Sequence, residues 1–404
     1  MKKEEIRHEL LVIGGGASGI MAAITAARSG IDTAILEHTD KIGKKLLVTG
    51  NGRCNLTNLV QKPECYRSGE PQKAWKVISS FSEKKAIAFF EELGLLTREK
   101  GGYVYPYSNQ ASSLLRCLKS ELYRLGIPVY YRTQITDVSK EQNMFACDTE
   151  EKCYYGKKLI LASGSKAAPS TGSDGSGYEL AKAFGHTITS VLPALVQLKA
   201  KERCFEQLAG IRTEAKVSLF CDGEKTACDA GEVQLTEYGI SGIPVFQVSR
   251  YAAEGLEKGK SVTAELDFCP VLPEDRLIEW IDGKVRTGIR IREVLTGILN
   301  EKLAEFFVDS MGISRRAELT EEELMKLARL IKRFPATITD TKGFEHCQVC
   351  MGGVPLSEID TDSMESRLVK GLYFAGEILD VDGICGGYNL QWAWSSGYLA
   401  GQLR

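Results

Sequence analysis

Histidine is scarce in this 404-residue chain: His8, His38, His186 and His346 are all there are. No two of them stand at the spacing of a metal-ligand pair, so no metal centre is predicted. One-sided charge is missing too. Lys and Arg number 51 against 53 Asp and Glu, a formal net charge of −2, and nothing in that balance advertises nucleic acid or an anionic membrane as partner. Long apolar runs are absent, and glycines interrupt those near the start well short of the roughly 20 residues a bilayer span needs. "MKKEEIRHEL" has neither an apolar core nor a cleavage site. It does not read as a signal peptide, and a cytoplasmic location is expected. A compact disulfide framework is missing as well. The 12 cysteines are scattered, and free thiols are expected in a chain without an export signal. Cys347 and Cys350 form a lone C-x-x-C in "HCQVCMGGV". No helix N-terminus clearly follows to lower a thiol pKa, so they read as small buried residues rather than a redox dithiol. Repeats and low-complexity tracts do not occur, and the oligomeric state is not legible.

What is present is glycine in register. "ELLVI" at 9–13 is a short apolar run fit for a buried parallel strand. Gly14, Gly16 and Gly19 follow as G-x-G-x-x-G, then "IMAAITAARSG", an Ala-rich helix stopped at Gly30. A second strand, "DTAILE", ends at Glu37. Strand, glycines, helix and strand-end acid together make a dinucleotide cradle. Gly14 makes the turn, Gly16 admits pyrophosphate to the helix N-terminus, and Gly19 lets the helix pack on the sheet. The motif alone does not choose between NAD and FAD. After Glu37 comes "HTDKIGKKLLVTGNGRCNLTN", a glycine- and asparagine-rich loop with Lys44, Lys45 and Arg53 along it. Such a loop suits the approach of a larger cofactor, its cations offsetting pyrophosphate charge.

Near the other end, "LYFAGE" reads as a strand ending at Gly376 and Glu377, followed by a loop with Asp380 and Asp382. "YNLQWAWSSGYLAGQL" then gives a helix with small residues on one face. "KLILASGS" closes similarly at Gly164. Strands that stop in small residues let backbone pass close to a flat ligand, and the final helix would aim its positive dipole end at it.

These segments, "GGGASGIMAAITAARSG", "GKKLLVTGNGRCNLTN", "GGV" at 352–354 and "GLYFAGEILDVDGICGGYNLQWAWSSGYLAG", together resemble the HI0933-like flavoprotein family. The resemblance covers both ends strongly and the middle by length and order. It implies an α/β fold: a Rossmann-like FAD-binding domain with a parallel sheet, interrupted by an insert domain. It implies FAD as the cofactor; non-covalent binding is expected, and with no second nucleotide motif NADH or NADPH is expected only as a transient reductant. The family includes proteins of the aminoacetone oxidase type and a reductase of steroid or bile-acid enones, so reduction of a conjugated C=C bond is the sharpest expectation. By matching position, Gly14, Gly16, Ala17 and Gly19 form the cradle and Glu37 meets the adenosine ribose. Lys44 and Lys45 match a basic pair beside the cofactor, and Gly52, Arg53, Cys54 and Asn55 match the signature loop. Glu377, Asp382, Asn389 and Leu390 match the closing motif, facing ribityl hydroxyls and the flavin edge. The two cysteines of "HCQVCMGGV" depart from the pattern.

The rest of the first part, 1–194, reads as more of the FAD domain. "SEKKAIAFFEELGL" and "ASSLLRCLKSELYRLG" are amphipathic helices, and "IPVYYRTQITDVSKEQNMFACDT" alternates like antiparallel strands. Ile135 there could offer backbone groups to adenine. An insert follows at 195–345, β-rich over 195–269 and helical over 270–345, and 346–404 closes the FAD domain. The domain joint is the expected substrate cleft. A proton donor must complete the reduction; Tyr105, Tyr388 and Cys54 are the candidates. "GSDGSG" at 172–177 has the wrong spacing for a second nucleotide motif. A flavin amine oxidase using O2, a disulfide reductase and a non-catalytic flavin sensor or RNA-binding protein remain as alternatives. Substrate identity, NADH against NADPH and the proton donor stay open at this point.

Overall fold

The computed structural model describes residues 3–313 and 318–403. Its first part runs β1 (Glu4–Ile13), α1 (Ala17–Arg28), β2 (Thr33–Leu36), α2 (Lys44–Val48), β3 (Thr57–Asn58), β4 (Tyr66–Arg67), α3 (Pro71–Ser80), α4 (Glu83–Glu92), β5 (Thr97–Lys100), β6 (Tyr103–Pro106), α5 (Ala111–Arg124), β7 (Val129–Tyr130), β8 (Asp137–Glu141), β9 (Met144–Asp148), β10 (Lys152–Leu161) and α6 (Ser176–Ala183). Two compact units result: Met1–Leu192 with Val349–Arg404, and Pro193–Gln348. Among the described residues no helix is long and apolar enough to cross a membrane.

The first unit is built on a sheet whose middle is parallel. The closing strand Leu372–Phe374, β10, β1, β2 and β7 lie side by side in that order. Val12 sits opposite Ile160 on one side and Ile35 on the other. Strands covered on both faces must be apolar throughout, and Leu10–Val12 and Thr33–Leu36 are buried at every position. The alternating stretch after Ile127 divides by contrast. β7 joins β2 in parallel, whereas β8 and β9 form an antiparallel hairpin beside β10.

The Ala-rich composition of α1 follows from its neighbour, the closing helix Tyr388–Gln402. A Cβ on Gly397 would lie 2.4 Å from the Ser18 carbonyl oxygen, and one on Gly401 would lie 2.4 Å from that of Ala22. The small residues there are the condition for two backbones to touch.

The second unit holds a closed barrel of Leu198–Ala200, Gly239–Gly242, Glu224–Thr236, Arg212–Cys221, Val262–Asp267 and Phe334–Thr341. Two corrections to the expected β-then-helix division follow. The helix Ile243–Glu257 falls in the part expected to be β-rich, and Phe334–Thr341 returns from the helical part as a barrel strand. Its pairing with Leu198–Ala200 closes the ring, which removes two exposed sheet edges. The long pattern "IREVLTGILNEKLAEFFVDSMG" is two helices, Ile291–Thr296 and Glu301–Ser310. The Asn300 side chain accepts the Lys302 N–H to start the second.

Candidate functional site

β1 ends at Ile13, and three glycines turn the chain into α1. Gly14 takes a φ of +106°, and a Cβ there would lie 2.4 Å from the Ala162 carbonyl oxygen just past β10. A Cβ on Gly19 would lie 1.9 Å from the Gly14 oxygen, so helix and turn are in contact. Gly16 is different: no atom lies within 4 Å of where its Cβ would be. This open space adjoins the helix N-terminus, which no side chain caps, so first-turn N–H groups, Ala17's among them, are available to an anion. Of the three motif glycines, Gly14 and Gly19 are packed and Gly16 is open. That fits a pyrophosphate lying against the backbone at Gly16.

Glu37 follows β2 directly and is 8% exposed. Its Oε2 accepts the Gly15 N–H and its Oε1 the Thr39 N–H, each at 2.8 Å. The carboxylate is thereby fixed beside the cradle, with lone pairs left on both oxygens for hydroxyl donors. Ile135 does not lie in a strand, as expected, but in the connection between β7 and β8, with its side chain buried.

The segment expected as a loop after Glu37 contains a short helix, α2, which separates the basic pair. Lys45 Nζ reaches Glu377 Oε2 at 2.6 Å, and Ser165 Oγ donates to the same oxygen at 3.1 Å. Lys44 instead pairs with Asp40 at 2.7 Å. Adjacent residues on a helix point about 100° apart, so the two lysines cannot serve one ligand in the same way. The turn Thr49–Gly52 follows, with Gly52 at a φ of +80° and Arg53 exposed. Asn55 Oδ1 is buried without a hydrogen-bond partner, 2.9 Å from where a Cβ on Gly387 would stand at the cap of the closing helix.

Several expected cofactor contacts are taken up by the protein itself. A Cβ on Gly164 would meet Ser173 Oγ at 2.8 Å, and one on Gly376 would meet Ser18 Oγ at 2.3 Å. On the Cβ side, these glycines make room for neighbouring serine side chains. Asp382 is 1% exposed and lies opposite Arg67 in the register of β4. The Asn389 amide accepts the Gly383 N–H at 2.8 Å and donates to the Gly383 oxygen at 2.9 Å, latching the loop before the closing helix. Leu390, one turn into that helix, is half-buried.

The three candidate donors separate clearly. Cys54 is fully buried, and burial pushes its thiol up to about 12 against a hydrogen bond from Thr49. Tyr388 is 5% exposed and donates its hydroxyl to the Val60 carbonyl at 2.9 Å, while burial holds its pKa well above the usual range. Cys54 is thus enclosed and the Tyr388 hydroxyl is engaged by Val60. Tyr105 on β6 is half-buried. Burial raises its pKa, while the Arg53 and Arg98 guanidiniums pull the other way.

Sequence reasoning missed Tyr178. It is 3% exposed, its hydroxyl has no hydrogen-bond partner, and burial first, then Cys350, Glu377 and Asp380, raise its pKa. One bulky aromatic in "GSDGSGYELA" was the available signal. Cys347 and Cys350 are buried, unbridged thiols.

A family model described as HI0933-like protein Rossmann domain matches residues 8–403. The chain belongs to the HI0933-like family. Within reach of it, a 3-dehydro-bile acid delta(4,6)-reductase of Clostridium scindens is 45% identical over 398 residues, 97% of each chain. A ribosomal RNA dihydrouridine synthase of Haemophilus influenzae is 30% identical over 400 residues, 96% of each chain. Among solved structures, the 3-ketosteroid-delta4-(5alpha)-dehydrogenase of Rhodococcus jostii shares the fold. Its TM-score is 0.50 at 13% identity, with 99% of this chain and 98% of that one covered. The expected Rossmann-like domain with a β-rich insert is thus the family's architecture.

Proposed function

We propose that this chain is a cytoplasmic FAD-dependent reductase that saturates a C=C bond conjugated to a carbonyl in an apolar small molecule of the steroid or bile-acid enone class, with NADH or NADPH as transient reductant. One observation carries the reading: the bile-acid reductase of Clostridium scindens aligns end to end at 45% identity. The chain is an oxidoreductase, and the cradle at Gly14–Gly19 supports a dinucleotide cofactor. FAD, when bound, supplies the hydride.

The remaining work falls to the protein. The first-turn N–H groups of α1 hold the diphosphate in the space at Gly16, and Glu37 accepts hydroxyls from the adenosine ribose. Glu377, held by Lys45 and Ser165 through one oxygen, keeps its other oxygen for a further hydroxyl. Tyr105 Oη, of the three candidate donors the one neither buried nor committed, passes a proton to the carbon next to the substrate carbonyl.

The Haemophilus relative favours a second reading. A synthase of dihydrouridine also saturates a C=C bond conjugated to a carbonyl, in RNA. The test treats the two alike. Protein loaded with FAD is reduced anaerobically by NADH or NADPH and mixed with a 3-oxo-Δ4 steroid or a uridine-containing RNA. Reoxidation by the steroid, with a saturated ketone as product, is the expected result. Reoxidation by the RNA alone would transfer the assignment, and no bleaching by either nicotinamide would remove the proposed reductant.

A further inference from the structure

"GSDGSG" at 172–177 is no second nucleotide motif, but its glycines show where the segment runs. A Cβ on Gly172 would lie 2.9 Å from Thr39 Cγ2 and 3.2 Å from His38 Nε2, just past the end of β2. A Cβ on Gly177 would overlap Ser163 Oγ, two residues past β10, and would touch Ile378 in the turn after Leu372–Phe374. The segment therefore reaches from the end of β2 to the ends of β10 and the closing strand. Ligands of open α/β sheets lie outside the carboxyl ends of the strands. The segment passes the row of strand ends that carries Glu37, the cradle and Glu377.

Two hydroxyls at the far end of this row, Ser163 Oγ and Tyr178 Oη, are buried without a hydrogen-bond partner among the described residues. Tyr178, in the first turn of α6, is 3% exposed. A buried phenol left unpaired costs free energy, and native proteins keep few such groups. Burial first, then Cys350, Glu377 and Asp380, raise its pKa. The hydroxyl keeps its proton and is a donor without an acceptor. Strand order says which acceptor it would meet. Glu37 after β2 is placed for the adenosine ribose, and the space at Gly16 after β1 for the diphosphate. The next strands in that direction are β10 and Leu372–Phe374, and past them stand Ser163 and Glu377. What lies there is the other half of the dinucleotide.

We infer that Tyr178 holds the cofactor: its hydroxyl donates to the flavin-bearing half of FAD, and the glycines at 172–177 let the chain reach that place. The inference rests on the FAD reading above and adds a contact outside both the cradle and the closing motif. A buried water is the other way to satisfy such a hydroxyl, and the two differ in what loss of the oxygen does.

Tyr178→Phe keeps the ring and removes only the oxygen. FAD and ADP are titrated separately into apoprotein of the full chain, and the same apoproteins are melted in urea. FAD should bind about tenfold more weakly to the variant, the loss of one hydrogen bond. ADP, which has no flavin half, should bind as it does to the wild type. The urea midpoint of the variant should equal or exceed that of the wild type, because an unpaired buried hydroxyl has been removed. Glu37→Ala, at the adenosine end, should weaken both ligands and so shows that ADP reports on its own half. Unchanged FAD affinity in Tyr178→Phe overturns the inference, and so does a loss shared equally by ADP. A lowered urea midpoint overturns it as well, since the hydroxyl was then satisfied within the apoprotein. Wild-type protein that binds FAD no tighter than ADP would instead remove the FAD reading itself.

Discussion

Alanine at Gly16 should cost FAD affinity and leave the protein's own stability alone, whereas alanine at Gly19 should do the opposite. The contrast follows from what a Cβ would meet. At Gly16 nothing lies within 4 Å, and the backbone at φ −82° and ψ −170° suits any residue. The entropy removed from the unfolded chain, about 0.4–1 kcal/mol, is offset by the weaker capping of alanine, so the apoprotein should move by less than about 0.5 kcal/mol. The methyl group does, however, fill the space assigned to the diphosphate. Losing one or two charge-assisted hydrogen bonds at about 1.5–3 kcal/mol each gives roughly 3 kcal/mol, about a hundredfold in Kd. At Gly19 the new carbon would stand 1.9 Å from the Gly14 oxygen. Backbone lies on both sides there, so α1 must move off the sheet at about 1–3 kcal/mol or more.

Urea melts of the apoproteins and quenching of FAD fluorescence measure the two quantities independently. FAD at a thousand times the wild-type Kd should stabilise the wild type by about 4 kcal/mol, and Gly16→Ala by about 1.4 kcal/mol at that concentration. Gly16→Ala apoprotein as unstable as Gly19→Ala, or Gly16→Ala with wild-type FAD affinity, would refute the division of roles.

Other expectations concern single groups. His186 is held by Glu358 at 2.7 Å and Ser366 at 2.8 Å, and burial lowers its pKa. The native state therefore prefers the neutral ring. Its contribution should be complete above the ordinary histidine pKa and lost as pH falls through the depressed one; a flatter acid limb in His186→Gln melts checks this. Tyr105→Phe should lower kcat for the enone by about 10²–10⁴ while FAD affinity holds. Cys54→Ala should spare kcat in fully FAD-loaded protein, and equal losses in the two would remove Tyr105 as donor. The double variant Cys347→Ser/Cys350→Ser should still be reduced by nicotinamide and turn over, with only a loss of stability from hydroxyls placed at buried positions; an arrest after reduction would restore the dithiol.

The cradle was legible because its determinants are local. Strand, turn, helix and acid lie within one stretch of 29 residues, Glu9 to Glu37, and each glycine has a backbone reason that sequence spacing encodes. The closing helix was legible for a related reason, since small residues at helical spacing announce a close neighbour. The division of labour among polar side chains was not. Whether Lys45 or Lys44 faces Glu377 depends on the five-residue helix Lys44–Val48, too short to show a period. Asn389 reads as a ligand by position, yet its amide is spent on Gly383, and Gly164 and Gly376 make room for serines. The barrel was half legible. "FPATITDT" alternates as a strand should, but its partner near Leu198 lies more than 130 residues away, and pairing at that distance leaves no mark in a local window.

Tyr105 shows why the site's chemistry depends on charges outside the cradle. A proton donor must be protonated at the working pH and still release its proton in the transition state. Burial alone would make the phenol too reluctant, as it does for Tyr388. On β6 burial is partial, and Arg53 and Arg98 oppose it by stabilising the phenolate.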